Sequence, residues 1–263
     1  MAPPVVVLVT GSFALPEFYD DLFAIVRAGG VEITALHSPT VGLSAGEGRP
    51  NVAPPTMYDD AAFIAGEVEK LADQGRDVIL LGHSYGGVPI SESTRGLSKE
   101  QRQTQGKKGG LVALGYMTCL VPAVGDSARD VLSKVPDEGK TPMNVGDDGW
   151  MSQWKPEITA AIIMQTQPLE VATSWVKKFP KHSAISFTNT LTHPGYKDVP
   201  VSYLFCEVDK CIPPDVQQNG IDIIEKASGS KVHVTKINAD HCPNFTASSE
   251  TAAWIVDFVK RYS

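Results

Sequence analysis

Residues 78–90 read Val-Ile-Leu-Leu-Gly-His-Ser-Tyr-Gly-Gly-Val-Pro-Ile, an apolar run that stops on Gly-x-Ser-x-Gly-Gly. No other stretch restricts the fold as much. An apolar run of four predicts a buried strand, and the glycines predict that the chain reverses sharply into a helix. Gly82 and Gly86 suit so tight a turn because a side chain at either would collide across it. Ser84 is thereby lifted to the top of the turn. The helix that follows directs its N-terminal N–H groups and positive dipole end toward the serine, where negative charge on a bound oxygen would be stabilised. The pentapeptide alone says little, since a chain of this composition holds about 0.15 copies by chance. The surrounding residues must supply the specificity.

The chain has 263 residues, enough for one large domain with a buried core. Hydrophobic residues make up 42% and charged residues 20%, ordinary values for a globular protein. A net charge of −7 speaks against nucleic acid or an anionic membrane as partner, because both select basic surfaces. The expected partner is a small-molecule substrate, bound by a monomer or homodimer. Met-Ala-Pro-Pro enters the run Val5–Val9 directly, without a basic segment, and no apolar stretch reaches bilayer length. The expected location is the cytoplasm. Cys119, Cys206, Cys211 and Cys242 lack zinc-type spacing and are expected to be free thiols.

Strand-like and helix-like segments alternate. Val5–Val9, Val31–Leu36, Val78–Leu81, Leu111–Tyr116, Val201–Phe205 and Val232–Ile237 read as strands. Phe18–Ala28, Tyr58–Leu71 and Ala252–Arg261 read as amphipathic helices. The alternation predicts an α/β fold, a mostly parallel sheet covered on both faces. Ser98–Gly110 is polar and rich in glycine and lysine, and reads as a solvated surface loop. From Val121 to Lys197 the pattern offers turns and helices, best at Ile158–Gln165 and Leu169–Lys178, and no clear strand. This stretch reads as a helical lid, residues 121–197, inserted into a core made of 1–120 and 198–263.

A serine hydroxyl needs a base to act as a nucleophile, normally a histidine held by a carboxylate. Of six histidines, His83 lies inside the turn, His37 in an early loop, His233 in a strand, and His182 and His193 in the insert. His241 follows the strand Val232–Ile237 in Asn-Ala-Asp-His-Cys-Pro, just before the last helix, where the base should lie. The acid should end a strand between serine and histidine. Glu207 and Asp209 both follow Val201–Phe205; Asp209 is favoured because Glu207 should still continue the strand. Asp215 and Asp240 are weaker candidates. After Val5–Val9 comes Thr10-Gly11-Ser12-Phe13, and the N–H groups of Ser12 and Tyr85 could together hold an oxyanion.

GHSYGG, FCEVDKCIPP and ADHCPNF together resemble the α/β-hydrolase superfamily, in particular the branch of plant methylesterases, hydroxynitrile lyases and small fungal and bacterial esterase-like proteins. The resemblance spans the chain outside the insert. It implies an α/β-hydrolase fold with Ser84 as nucleophile, His241 as base, Asp209 as orienting acid, and Ser12 and Tyr85 at the oxyanion hole. The chain departs from the pattern twice. Thr10 stands where esterases commonly carry histidine, and Cys242 stands where the lyases typically carry a lysine that steadies cyanide. Lyase activity of that kind is therefore disfavoured.

The resemblance implies hydrolysis of a carboxylic ester or lactone through an acyl-enzyme, with no metal or organic cofactor. The apolar residues of the insert suggest a small to medium apolar or aromatic substrate, with Phe13, Trp150, Trp154 and Met164 as candidate contacts. Two other readings use the same residues: carbon–carbon bond cleavage or cyclisation of a β-dicarbonyl or polyketide-like substrate, and a ligand receptor with little turnover.

Overall fold

In the computed structural model, which describes residues 3–263, the run Val5–Val9 forms β1. All five of its residues are buried, which suits a strand covered by helices on both sides. In chain order follow α1 (Asp20–Ala28), β2 (Ile33–Leu36), α2 (Met57–Asp73), β3 (Asp77–His83), α3 (Gly87–Glu92), α4 (Lys99–Thr104) and β4 (Gly110–Met117). The insert carries α5 (Ala128–Leu132), β5 (Met143–Val145), β6 (Trp150–Gln153), α6 (Pro156–Ile163), α7 (Leu169–Val176) and β7 (His182–Ser183). The core resumes with β8 (Val201–Cys206), α8 (Pro214–Ser228), β9 (His233–Ile237), α9 (Pro243–Thr246) and α10 (Ser248–Lys260).

Six strands form one parallel sheet in the order β2-β1-β3-β4-β8-β9. Period-two alternation sorts their side chains between two cores. Val5, Val7, Val9, Val78 and Leu80 pack with Ile64 and Val68 of α2 and Ile221 and Ile224 of α8. Val6, Leu8, Ile79 and Leu81 pack with Leu22 and Val26 of α1 and Trp254 and Phe258 of α10. Registers such as Val7 opposite Leu80 and Leu80 opposite Leu114 bring the carboxyl ends of β1, β3 and β4 to one edge. That edge holds the candidate site.

The start of α2 is a capping box. The Thr56 hydroxyl accepts from the Asp59 N–H at 3.2 Å, and the Asp59 carboxylate accepts from the Thr56 N–H at 2.7 Å. At the other end of the chain α8, which has no counterpart among the predicted elements, stops at Gly229 with φ of 70°.

Two segments differ from the pattern-based reading. Ser98–Gly110 is largely exposed, as expected, but its first half is helical: Ser98 caps α4, and Arg102 is 1% exposed, paired with Asp73 at 2.5 Å. A basic residue in a polar run gave no hint of burial, yet its guanidinium also donates to the Gly109 carbonyl. Within residues 121–197, β5, β6 and β7 form a three-stranded antiparallel sheet where no strand was expected. Strands of two to four residues are too short to register as periodicity. Among the described residues no helix is long and apolar enough to cross a membrane.

Candidate active site

Ser84 sits immediately after β3 with φ of 53°, in the left-handed region that a side chain normally avoids. The glycines around it make this turn possible. A Cβ on Gly82 would lie 2.8 Å from the Gly86 carbonyl carbon, and one on Gly86 would lie 2.5 Å from the Val9 carbonyl oxygen. Gly87 is equally constrained, 2.6 Å from Cys119 Cβ.

His241 lies between β9 and α9, and Asp209 lies in the turn after β8. Strand register brings the three side chains together from distant parts of the chain. His241 Nε2 is 2.9 Å from Ser84 Oγ, and His241 Nδ1 is 2.7 Å from Asp209 Oδ2. Asp209 is 2% exposed and fixed from several directions. Its Oδ1 accepts from the Cys211 and Ile212 N–H groups at 2.7 and 2.9 Å, and its Oδ2 accepts from the Thr118 hydroxyl. Burial opposes a charge on His241, but the adjacent Asp209 carboxylate, with Cys211 adding to it, outweighs burial and holds the imidazole well above its ordinary value.

The rejected acids have other places. Glu207 lies just beyond the end of β8 and is exposed, as is Asp215 in the first turn of α8. Asp240 is buried, but it ties the His241 loop to the insert: it accepts from the Thr166 N–H at 3.1 Å and from the Cys242 N–H at 3.1 Å.

A second histidine supports the first. His83 Nε2 is 2.8 Å from the His241 carbonyl, which can only accept, so Nε2 carries the proton. His83 Nδ1 must then accept, and the Tyr19 hydroxyl donates to it at 2.6 Å. Tyr19 in turn accepts from the Gly11 N–H at 3.2 Å. Burial, reinforced by the neighbouring His241, holds His83 down at about 3, so it stays neutral. One chain of bonds thus joins the loop after β1, the serine turn and the His241 loop. Nothing in the sequence pattern singled out Tyr19 or Thr118; each becomes visible only when the strands are aligned.

Ser12 and Phe13 line the cavity over Ser84. A Cβ on Gly11 would lie 3.3 Å from Ser84 Cβ, so this loop abuts the serine turn. Phe13 takes φ of 60° at the bend. Tyr85, the residue after Ser84, points its side chain away into the core, where its hydroxyl donates to buried Asp60 at 3.1 Å. Burial raises the Asp60 carboxyl to about 7, against the bonds it receives from Thr40 and Tyr85.

The cavity measures about 100 Å³. Met164, Trp175 and Phe179 of the insert line it, together with Phe18, Phe245 and Cys242. Phe13 and Met164 thus line the cavity, but the two tryptophans expected beside them do not. Trp150 is 3% exposed and packs on the early loop, with its ring 2.7 Å from where a Gly48 Cβ would stand. Trp154 lies past the end of β6, 65% exposed, with Lys155 Nζ 4.4 Å from its ring centre. Neither lines the cavity. All four cysteines are free, and no group of three or more His, Cys, Asp or Glu among the described residues is placed to hold a metal ion.

Residues 6–254 match the family model described as the alpha/beta hydrolase family. A curated relative, "Probable hydrolase R7" of a Phoma species, is 32% identical over 246 residues and 94% of each chain. Among solved structures, the pyrethroid hydrolase PytH superposes with a TM-score of 0.73, at 17% identity over 98% of each chain. Polyneuridine aldehyde esterase gives 0.71 at 18% identity, over 98% of this chain and 99% of its own. The parallel sheet, the glycine-bounded serine turn after its third strand, and a family match that runs from the first strand into the last helix agree on one assignment: the chain belongs to the alpha/beta hydrolase family.

Proposed function

We propose that the chain is a serine-dependent carboxylic ester hydrolase acting on small apolar or aromatic esters through an acyl-enzyme. The observation that carries the reading is the continuous contact Ser84 Oγ–His241 Nε2–His241 Nδ1–Asp209 Oδ2, at 2.9 and 2.7 Å, opening on an apolar cavity. His241 takes the proton from Ser84, and Oγ attacks the ester carbonyl. The N–H groups of Ser12 and Tyr85 stabilise the oxyanion, which the closeness of the Gly11 loop to Ser84 supports. Protonated His241 delivers its proton to the departing alcohol, and water then repeats the attack on the acyl group. Asp209, fixed by Thr118 and two backbone N–H groups, holds the imidazole in the tautomer with its proton on Nδ1 and stabilises the imidazolium. Residues 121–197 act as a lid, since they supply much of the wall facing Ser84.

Cys242, the neighbour of His241, offers a neutral side chain, and burial pushes its thiol further up. A site without a cation at that point favours hydrolysis over release of cyanide. The test is labelling with a fluorophosphonate followed by intact mass. One adduct on the native protein and none on Ser84→Ala is expected; equal labelling of both rejects the assignment of Ser84.

A further inference from the structure

On its buried side α2 presents Met57, Asp60, Ala61, Ile64 and Val68, an apolar stripe at helical spacing broken by one acid. Asp60 is 0% exposed. A carboxyl buried among apolar side chains costs stability unless other groups bond to it. Three donors do so. Oδ1 accepts from the Thr40 N–H at 3.0 Å, and Oδ2 accepts from the Thr40 hydroxyl at 2.6 Å and the Tyr85 hydroxyl at 3.1 Å. Arg49 acts on Asp60 through charge alone, since its guanidinium donates instead to the carbonyls of Val41 and Ser38 at 2.8 and 3.0 Å. The two bonds from Thr40 would suit an acid that merely anchors the loop after β2. The third reaches further, because Tyr85 is the residue that follows Ser84 in the strained turn.

The Ser84–Tyr85 peptide carries the N–H proposed as an oxyanion donor, and the residues on either side fix its plane. On one side Ser84 holds φ of 53°, a conformation that relaxes where it is free to. On the other, the Tyr85 ring stacks on Phe187 at 5.1 Å and meets His182 edge-on at 4.7 Å. Ring contacts of this kind permit sliding, whereas a hydrogen bond at the far end of the ring opposes it. Asp60 is thus the directional anchor of the Tyr85 side chain. It is itself held by Thr40, whose carbonyl accepts from the Ser183 N–H of β7 at 2.9 Å. One carboxylate ties the serine turn to the loop after β2 and, through that loop, to the insert. Asp60 does not line the cavity.

We propose that Asp60 is a positioning residue for ester hydrolysis: by holding the Tyr85 hydroxyl it keeps the Tyr85 N–H aimed at the developing oxyanion, without touching the substrate. This rests on the ester-hydrolase reading above. A donor aimed in advance acts where charge develops, so its alignment affects the transition state more than substrate binding. Loss of the anchor should therefore lower kcat and leave KM in place. Removing an oxyanion donor outright lowers kcat by about a hundred- to a thousandfold, so one that is only misaimed should lower it by about tenfold.

The experiment compares Tyr85→Phe, which keeps the ring and removes the hydroxyl, with Asp60→Asn and Asp60→Leu on an aryl ester. Tyr85→Phe and Asp60→Leu should each lower kcat by about tenfold, with KM within about twofold of native. Asp60→Asn keeps an oxygen that can accept from Tyr85 and should lie between Asp60→Leu and the native enzyme. Joining Tyr85→Phe to Asp60→Leu should add nothing to the loss in Asp60→Leu, because both remove the same bond. A trifluoromethyl ketone, which adds to Ser84 as a tetrahedral oxyanion, should bind Tyr85→Phe about tenfold more weakly than native. The uncleaved ester should bind alike to Ser84→Ala with and without Tyr85→Phe, an equality that general loosening of the turn would destroy. Unchanged kcat in Tyr85→Phe, losses that add, or ester binding that weakens in step with turnover overturns the assignment of Asp60. If Asp60→Leu does not fold, Tyr85→Phe joined to Asp60→Asn should lose no more than Tyr85→Phe alone, and a further loss overturns the assignment. A native protein inert toward both ester and ketone overturns the ester-hydrolase reading, and the role of Asp60 falls with it. An active native protein with unaffected variants overturns the role of Asp60 alone.

Discussion

The two walls of the cavity are built differently. On the sheet side, Asp209 is held by Thr118, by two backbone N–H groups and by His241, and His83 is bonded at both nitrogens. On the side of residues 121–197, the wall is mainly apolar side chains such as Ile163, Met164, Trp175 and Phe179. Directional bonds fix the first wall to within fractions of an ångström, whereas dispersion contacts in the second tolerate a change of shape at modest cost. The difference teaches where chemistry and recognition reside. In the proposed reading, the groups that would move protons sit at the carboxyl edge of the parallel sheet, and much of the apolar wall that would face a ligand comes from the insert.

The strongest way to break this division is at its centre. Ser84→Ala should lower ester turnover by about a millionfold while the protein remains folded, measured as kcat on an aryl ester. Loss of only a few fold would place the chemistry elsewhere.

Next comes the acid. Asp209→Asn should reduce kcat by about ten-thousandfold by leaving His241 in the wrong tautomer. Glu207→Gln, an exposed change, should stay within about twofold. The pH profile adds a second readout. With neutral imidazole as the proposed base and Asp209 holding the His241 pKa up, the acid limb of kcat/KM should lie above the ordinary histidine value of about 6.5. Removing the carboxylate leaves burial, which pulls the pKa down, so the limb of Asp209→Asn should move to lower pH. An unmoved limb would mean that Asp209 does not act through His241.

The smallest effects sharpen the recognition side. Trp175→Ala should raise KM by about tenfold with a lesser change in kcat, because it removes an aromatic wall but no proton-transfer group. Trp154→Ala, 65% exposed and outside the cavity, should alter both by less than about twofold. If Trp175→Ala instead lowered kcat as much as Asp209→Asn, the two walls would not divide the work.

Legibility in the sequence followed the same line. The six strands of the parallel sheet were readable because each carries a short apolar run between turn residues, whereas β5, β6 and β7 were too short to show one. Ser84, Asp209 and His241, which the structure brings into contact, could be picked out of the sequence because an elbow serine, an acid and a histidine are sought at strand ends in a set order. Arg102 was misread because its burial depends on Asp73 and the Gly109 carbonyl, which polarity alone does not reveal. Trp150 and Trp154 were misplaced because bulk marks a side chain as buried or binding but not against what. Trp150 found the Gly48 loop, and Trp154 found only Lys155.

The positive φ of Ser84 sets folding and turnover against each other at one residue. For any side chain this conformation costs about 1–2 kcal/mol relative to the right-handed one, and glycine escapes that penalty. A selection that rewarded only thermal endurance would therefore replace the serine. Ser84→Gly should melt at a higher temperature than Ser84→Ala, the two being equally inert, by the equivalent of ~1 kcal/mol once the greater freedom of unfolded glycine is set against the relieved strain. Ranking the melting temperatures the other way round would show that the turn holds serine without strain. The native chain keeps the less comfortable residue, and so gives up a measurable part of its resistance to heat to keep a hydroxyl at the mouth of the cavity.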